Sequence, residues 1–351
     1  MTSKVIIQST QQEFPVETGE TLLEAALRAG LPLNYHCASG SCGYCLAQIL
    51  RGQPNQPLPH DFSIRDADRQ RGVVLLCRTT TDTDLVIETQ QTSNPACIPT
   101  QTIVTTVDKL QHAAQDVMVL HLRTPRSQTL QFLAGQHMTL AIDGVGPRNK
   151  SIASCPCNGM NIQFHIRHVA GDEFAEYIFS ELQLKQRVLI NGPHGQFTLD
   201  AKSQRPALFL AYETGFATTK SLIEHAISLE MVQPMHLYWA ARRHGDHYLE
   251  NQCRAWQDAL DNFRYTEIAN DQASCVDRRR EGGLGGDDSA LPPSQDYLIH
   301  AARQVVRDYP DLSGHDVYVS GPVHAMTRAC TLLLEHQLPE ERLFVDSLGR
   351  F

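Results

Sequence analysis

The chain has 351 residues, which is too long for one ordinary domain and predicts two or three. A formal net charge of −9 argues against nucleic acid as a partner, and the lack of an apolar run of about 18 residues argues against a membrane span. The first residues lack the basic and then apolar pattern of a signal peptide, so we expect a cytoplasmic protein.

The first segment, residues 1–92, has the pattern of a small mixed α/β domain. Apolar residues between 20 and 28 recur at helical spacing, and Gly30 follows as a C-cap. Short apolar runs around this helix predict strands. The predicted elements in chain order are strands at 5–7 and 14–16, a helix at 20–28, and strands at 45–50, 73–77 and 85–87.

Four cysteines of this segment have the spacing of a plant-type [2Fe–2S] site, in which four thiolates hold two irons. The first three follow a C-x4-C-x2-C pattern, and the predicted ligands are Cys37, Cys42, Cys45 and Cys77. Gly40 and Gly43 allow the loop to turn sharply, because glycine adopts positive φ without steric cost. The alternatives are buried structural cysteines or a zinc site. Zinc sites favour paired C-x2-C knuckles, and only one C-x2-C is present here.

Two further domains are predicted after a polar, proline-bearing linker at residues 90–95. Residues 99–202 alternate apolar and polar positions as in an antiparallel β-barrel, with strands expected at 103–104, 117–122, 138–142, 162–167 and 187–190. Residues 203–351 alternate strands with helices, which predicts a doubly wound α/β sheet. Within this last domain, residues from 271 to about 295 have the composition of a flexible surface insertion.

The six cysteines outside the cluster motif are scattered, and we expect them to be reduced thiols. They are Cys97, Cys155, Cys157, Cys253, Cys275 and Cys330. A redox or metal pair at Cys155 and Cys157 is the less favoured alternative, because no other cysteine lies near them in sequence.

This order of segments resembles the ferredoxin-fused reductases of the ferredoxin–NADP reductase superfamily, which include oxygenase reductase components and CDP-6-deoxy-glucoseen reductases. The resemblance implies an α+β plant-type ferredoxin domain, an antiparallel β-barrel FAD-binding domain and an α/β doubly wound NAD(P)-binding domain. The motifs that carry it beyond the cysteines are Gly135-Gln136, Arg148-Asn149-Lys150-Ser151, His165-Ile166-Arg167 and Gly192-Pro193-His194-Gly195-Gln196-Phe197.

The resemblance also implies roles for individual residues. Arg148 would pair with the flavin pyrophosphate, for which a guanidinium is well shaped, and Ser151 would form a hydrogen bond near the flavin ring. The remaining predicted FAD contacts are Lys150, Ile166 and Arg167. The predicted nicotinamide nucleotide site is centred on Thr214, Gly215, Ser320 and Gly321. No catalytic residue is predicted.

Several positions depart from the family pattern in both nucleotide sites. Lys150 stands where the family has an aromatic residue, and Ser320 where it has a cysteine. Acidic residues occupy the starts of two helices, Asp172-Glu173 in the barrel and Glu213 in the third domain. Helix N-termini bind phosphate through free N–H groups, so we expect these carboxylates to take amides that a phosphate would otherwise use.

Two functions therefore follow from the sequence. The first is a reductase that passes electrons from NAD(P)H through FAD and a [2Fe–2S] cluster to a protein acceptor, an oxygenase or another iron protein. The second is a [2Fe–2S] electron carrier or assembly subunit, whose degenerate reductase scaffold does not use NAD(P)H, whether or not it holds FAD. Separately, the run His244-Gly245-Asp246-His247 is expected to be a surface turn.

Overall fold

The computed structural model of the protein describes residues 2–29, 31, 33–35, 38–41, 43–89, 98–126, 128–269 and 294–346. Two predicted cluster ligands, Cys37 and Cys42, lie outside the described residues, as do the predicted linker and most of the predicted insertion. The described residues form three sheets, which follow one another along the chain.

The first sheet has five strands in the spatial order 2-1-5-3-4. Its elements are β1 (Thr2–Ile7), β2 (Glu13–Glu17), α1 (Leu22–Arg28), β3 (Leu46–Arg51), α2 (Asp66–Gln70), β4 (Val73–Leu75) and β5 (Leu85–Thr89). Helix α1 begins in a capping box, because the Thr21 hydroxyl accepts from Glu24 N and the Glu24 carboxylate accepts from Thr21 N. Its buried face, Leu22, Leu23 and Ala26, packs into the core of this sheet.

The second sheet has six strands, and all its neighbouring strands are antiparallel. Its elements are β6 (Gln101–Ala114), β7 (Val117–Arg123), β8 (His137–Ile142), β9 (Val145–Ser151), β10 (Asn161–Arg167), α3 (Glu173–Ser180) and β11 (Arg187–His194). The spatial order is 10-7-6-11-8-9, and the two end strands, β9 and β10, lie in contact. The sheet thus curls into a barrel around an apolar interior that includes Ile103, Leu120, Leu140, Phe164 and Ile190.

The third sheet has five parallel strands in the order 14-13-12-15-16. Its elements are β12 (Ala207–Tyr212), α4 (Phe216–Ser228), β13 (Met235–Ala241), α5 (Glu250–Ala259), β14 (Phe263–Ala269), α6 (Ser294–Asp308), β15 (Asp316–Ser320), α7 (Val323–Glu335) and β16 (Leu343–Val345). The strand order reverses between β12 and β15. Ligands of such sheets bind beyond the carboxyl ends of the strands at this switch point.

The predicted succession of an α+β domain, an antiparallel barrel and a doubly wound sheet is confirmed. The predicted boundaries at 1–92, 99–202 and 203–351 stay predictions. Three strands, β9, β14 and β16, were not predicted. Strand β9 is largely exposed and carries no apolar alternation, so its sequence gives no strand signal. Within the part of the chain that the structure describes, no helix combines the length and the hydrophobicity needed to cross a membrane.

Two buried hydrogen bonds join the first domain to the barrel. The Tyr35 hydroxyl donates to Leu130 O at 2.9 Å, and the Gln131 side-chain amide donates to Leu33 O at 3.2 Å. Burial raises the pKa of Tyr35, so this hydroxyl stays a donor. The first domain is therefore docked directly on the barrel through satisfied buried polar groups.

The barrel and the third domain are joined along α4. The ammonium of Lys220 is buried and donates to Ala153 O at 2.9 Å, while it pairs with Glu224 at 2.7 Å. The next residue, Ser221, donates its hydroxyl to Ser154 O at 2.7 Å. These contacts place the start of α4 beside the strand that carries Ser151.

Candidate functional site

Of the four predicted cluster ligands, the two that the structure describes, Cys45 and Cys77, lie close together. Cys45 lies next to the start of β3, and Cys77 lies in a short 3₁₀ turn that follows β4. Both are buried, and their Sγ atoms are 3.3 Å apart. Pairing of β3 with β4, and the bond from Leu76 N to Cys45 O, fix this approach.

The glycine-containing loop that precedes β3 is closed by residues near position 60. Gly40 and Gly43 have φ of +81° and +76°, as their predicted role requires. A Cβ on Gly43 would collide with the ring of Phe62, and Phe62 N donates to Gly40 O at 2.9 Å. Two neighbouring buried sulfurs under a tight glycine loop fit one side of a [2Fe–2S] cluster. The assignment of all four cysteines as ligands stays a prediction.

The predicted pyrophosphate contact, Arg148, lies on the exposed strand β9. Its Nε is 3.5 Å from the carboxylate of Asp172, the N-cap of α3. The same carboxylate accepts from Phe174 N at 3.1 Å. Asp172 therefore binds both the Arg148 guanidinium and the Phe174 amide, two groups that a phosphate would otherwise contact. Lys150, on the same strand, lies with Nζ 5.9 Å from the centre of the Phe174 ring, and burial lowers its pKa.

Ser151 meets a carboxylate that the sequence did not single out as a site residue. Its hydroxyl donates to Asp346 at 3.4 Å, and the Thr218 hydroxyl donates to the same oxygen at 2.8 Å. Asp346 directly follows β16 and is buried, and its N–H donates to Val319 O. The position of Asp346 at the carboxyl end of a parallel strand is the signal that could have found it. Ser151 and Asp346 fit the ring end of a flavin site, with a hydroxyl held by a carboxylate.

Glu213 follows β12 and sits at the start of α4, in the nucleotide site implied by the resemblance. Its side chain is 5% exposed and pairs with the guanidinium of Arg167 and, at 2.8 Å, with Nε of Arg242. Its backbone φ is +47°, a left-handed value that glycine adopts more readily. Two guanidiniums and a helix N-terminus form a site suited to an anion, and a carboxylate of the protein already fills it.

The side chains of the remaining predicted contacts, Arg167, Ile166 and Ser320, are engaged by other parts of the protein. Arg167 also pairs with Asp116, at 3.0 Å, and the Ile166 side chain is buried in the barrel interior. The Ser320 hydroxyl shares a hydrogen bond with Thr219 at 2.7 Å and donates to Gly215 O at 2.9 Å. The site as folded therefore does not fit a dinucleotide phosphate.

Close packing explains the two glycines of the predicted nucleotide site. A Cβ on Gly215 would collide with Ser320 O, and one on Gly321 would lie 2.9 Å from the Tyr212 Cβ. These glycines let the ends of β12 and β15 approach each other. Thr214 lies beside them, half-buried, in the short 3₁₀ turn before α4.

The prediction of reduced thiols is wrong for one pair, because Cys155 and Cys157 form a disulfide. A 3₁₀ turn that begins at Pro156 brings their Cα atoms to 5.2 Å, within the range for a disulfide. Cys253 and Cys330 are free of disulfide bonds. Cys97 and Cys275 lie outside the described residues.

Family comparisons agree with this arrangement. The 2Fe-2S iron-sulfur cluster binding domain family matches residues 5–81, and the oxidoreductase FAD-binding domain family matches residues 104–199. Both predicted redox cofactors, [2Fe–2S] and FAD, are thereby confirmed at the level of the domain families. The predicted recognition of a ferredoxin domain fused to a reductase is also confirmed.

Relatives match along nearly the whole chain. Protein RfbI of Salmonella typhimurium is 31% identical over 312 residues, covering 88% of this chain and 85% of the relative. The CDP-6-deoxy-L-threo-D-glycero-4-hexulose-3-dehydrase reductase of Yersinia pseudotuberculosis is 29% identical over 334 residues, 95% of this chain and 94% of the relative. The propane 2-monooxygenase reductase component of a Gordonia species is 27% identical and covers 98% and 96%.

Among solved structures, the Amycolatopsis cytochrome P450 reductase GcoB matches with a TM-score of 0.60 and 20% identity, over 99% of both chains. This likeness supports the fold. The domain order, the two family matches and the identity to RfbI together show that this chain belongs to the ferredoxin-fused reductases of the ferredoxin–NADP reductase superfamily.

Proposed function

We propose that the protein is an iron–sulfur flavoprotein reductase that delivers single electrons to a protein acceptor, an oxygenase or another iron protein. The observation that carries the proposal is the docking of the cluster domain on the barrel by the buried bonds of Tyr35 and Gln131. Electrons then pass between the two domains within one chain. Two relatives, a propane 2-monooxygenase reductase component and a hexulose-3-dehydrase reductase, support this acceptor class.

The chain's own residues would hold the flavin in two places. Arg148 is exposed enough to exchange Asp172 for a pyrophosphate, since their contact is long at 3.5 Å. The Ser151 hydroxyl donates its one proton to Asp346, so its oxygen would accept a hydrogen bond from the ring end. When bound, FAD supplies the conversion between a two-electron hydride donor and a one-electron cluster.

The two candidate functions differ in the source of the electrons. Because Glu213 fills the anion site between Arg167 and Arg242, this contact supports a second candidate function, an electron carrier that does not use NAD(P)H. For the reductase function, the Glu213 side chain must leave its place between the two arginines before a nucleotide can bind there. We propose NAD(P)H as the donor only with this rearrangement.

Two acceptors separate these functions. A small dye such as ferricyanide accepts electrons from a flavin, whereas cytochrome c tests delivery through the cluster. With FAD in excess and NADH or NADPH as donor, the reductase function predicts reduction of both by the purified protein. A Cys45→Ser variant, which lacks one of the buried thiols, should keep dye reduction and lose cytochrome c reduction.

The other outcomes are equally decisive. No dye reduction with either nucleotide, from protein that contains both FAD and the cluster, would favour the carrier. Equal cytochrome c reduction by wild type and Cys45→Ser would contradict delivery through the cluster.

A further inference from the structure

A second cluster of chemically active side chains lies apart from the crevice, at the carboxyl ends of β13 and β14. His244 and His247 belong to the turn that follows β13, and Glu267 lies on β14. One ligand atom from each lies within 4.8 Å of the others. The sequence predicted a surface turn here. The turn is present, but His247 is buried and faces a carboxylate from 20 residues further along the chain.

The hydrogen bonds of His247 determine which ring nitrogen is available. Nε2 lies 2.9 Å from Trp239 O, and because a carbonyl only accepts, Nε2 must carry a proton. Nδ1 then faces two oxygens, Glu267 Oε1 and His244 O, each at 3.0 Å. With Nε2 as the donor, Nδ1 directs its lone pair at both oxygens, and a cation held by Nδ1 and Oε1 would lie between these facing lone pairs.

The surrounding contacts favour a metal ion. His244 directs Nδ1 at the same carboxylate oxygen, so three ligand atoms, one from each residue, converge on one point. The His247 ring is held edge-on against Trp239, with centroids 5.1 Å apart. Arg254 lies 3.6 Å from the other oxygen, Glu267 Oε2, which leaves Oε1 for a ligand bond. A histidine whose second nitrogen donates to a carbonyl is the usual support of a metal ligand.

We propose that His244 Nδ1, His247 Nδ1 and Glu267 Oε1 bind a divalent transition metal of the zinc class. Two imidazoles and one carboxylate suit this class better than Mg²⁺ or Ca²⁺, which prefer oxygen ligands. The His244 side chain is 58% exposed, so the fourth position opens to water. This site is independent of the electron-transfer function proposed above.

The test uses the full chain with its iron–sulfur cluster loaded, treated with a chelator and then titrated with Zn²⁺ in a calorimeter. Wild type should bind one equivalent. His244→Ala removes an exposed ligand, and Glu267→Gln removes the carboxylate charge at constant volume. Each should weaken binding at least about ten-fold, because even the loss of a residue that only hydrogen-bonds to a metal ligand has an effect of that size. His112→Ala, an exposed histidine of β6, is the matched control and should bind as wild type does.

Iron content measured before and after the titration shows whether zinc has instead entered the cluster. Zinc should also raise the unfolding temperature of wild type and not that of His244→Ala. Absence of zinc binding in wild type, or equal binding in all four proteins, would overturn the proposal.

Discussion

Glu213→Gly tests whether an internal carboxylate blocks the nucleotide site. The change removes the charge that lies between Arg167 and Arg242, and it places glycine at a φ of +47°. Relief of the left-handed conformation gains about 1–2 kcal/mol. Loss of one partner of a buried ion pair costs about 3–5 kcal/mol. Arg242 is more than half exposed and Arg167 keeps Asp116, so the lower end applies. We expect a net loss of about 1–2 kcal/mol in the free energy of unfolding.

The variant should recover this loss when an anion takes the place of the carboxylate. Pyrophosphate or NADP⁺ should raise the unfolding midpoint of Glu213→Gly in urea and leave that of wild type nearly unchanged. With FAD in excess, NADH-dependent dye reduction should reach half-saturation at about ten-fold lower NADH, equivalent to about 1.4 kcal/mol.

Glu213→Gln is the matched control, because it keeps the side-chain volume and the strained backbone and removes only the charge. A gain with glycine and none with glutamine would assign the block to volume rather than to charge. Brisk NADH turnover by wild type, or anion stabilisation of wild type equal to that of the glycine variant, would refute the reasoning.

Three further predictions follow. Cys77→Ser should lose the paramagnetic signal of the reduced cluster and most of the bound iron, whereas the half-buried Cys330→Ser should keep both. Asp172→Ser keeps an N-cap but removes the charge beside the flavin pyrophosphate, so FAD, measured by equilibrium dialysis, should bind about two- to five-fold more tightly. Burial lowers the pKa of His225 from 6.5 to about 4, so the unfolded chain binds an extra proton and stability falls from pH 7 to pH 5, by about 2 kcal/mol. His225→Gln should flatten this slope in urea unfolding, and the exposed His112→Gln should not.

The sequence predicted most of the fold because its signals are local. Helical spacing and strand alternation each lie within a short segment, and most of the predicted helices and strands appear where they were expected. The expectation that Asp172 takes an amide at the start of α3 is confirmed. Glu213 lies three residues before α4, does not cap that helix and pairs with two arginines instead. Strand β9 was missed because its exposed residues show no alternation.

The partners within the site were not predictable in the same way. Asp346 reaches Ser151 across 195 positions, and Arg242 reaches Glu213 from the end of a different strand. These contacts depend on the spatial order of the parallel strands, which brings carboxyl ends of distant segments together. The proposed metal site depends on strand order in the same way, because Glu267 meets His247 only through the pairing of β13 with β14.

The two nucleotide sites share one arrangement, a carboxylate at a helix start that pairs with arginine, but they differ in burial. The Arg148–Asp172 pair is 3.5 Å long and its arginine is 45% exposed, so water screens it and an incoming phosphate displaces it at small cost. Glu213 is nearly inaccessible and holds two guanidiniums, one of them 10% exposed. Displacing Glu213 would leave buried guanidiniums without a partner, so it costs more free energy than displacing Asp172. We therefore expect FAD to bind with only a modest penalty, while access of the nicotinamide nucleotide decides whether this chain is a reductase or an electron carrier.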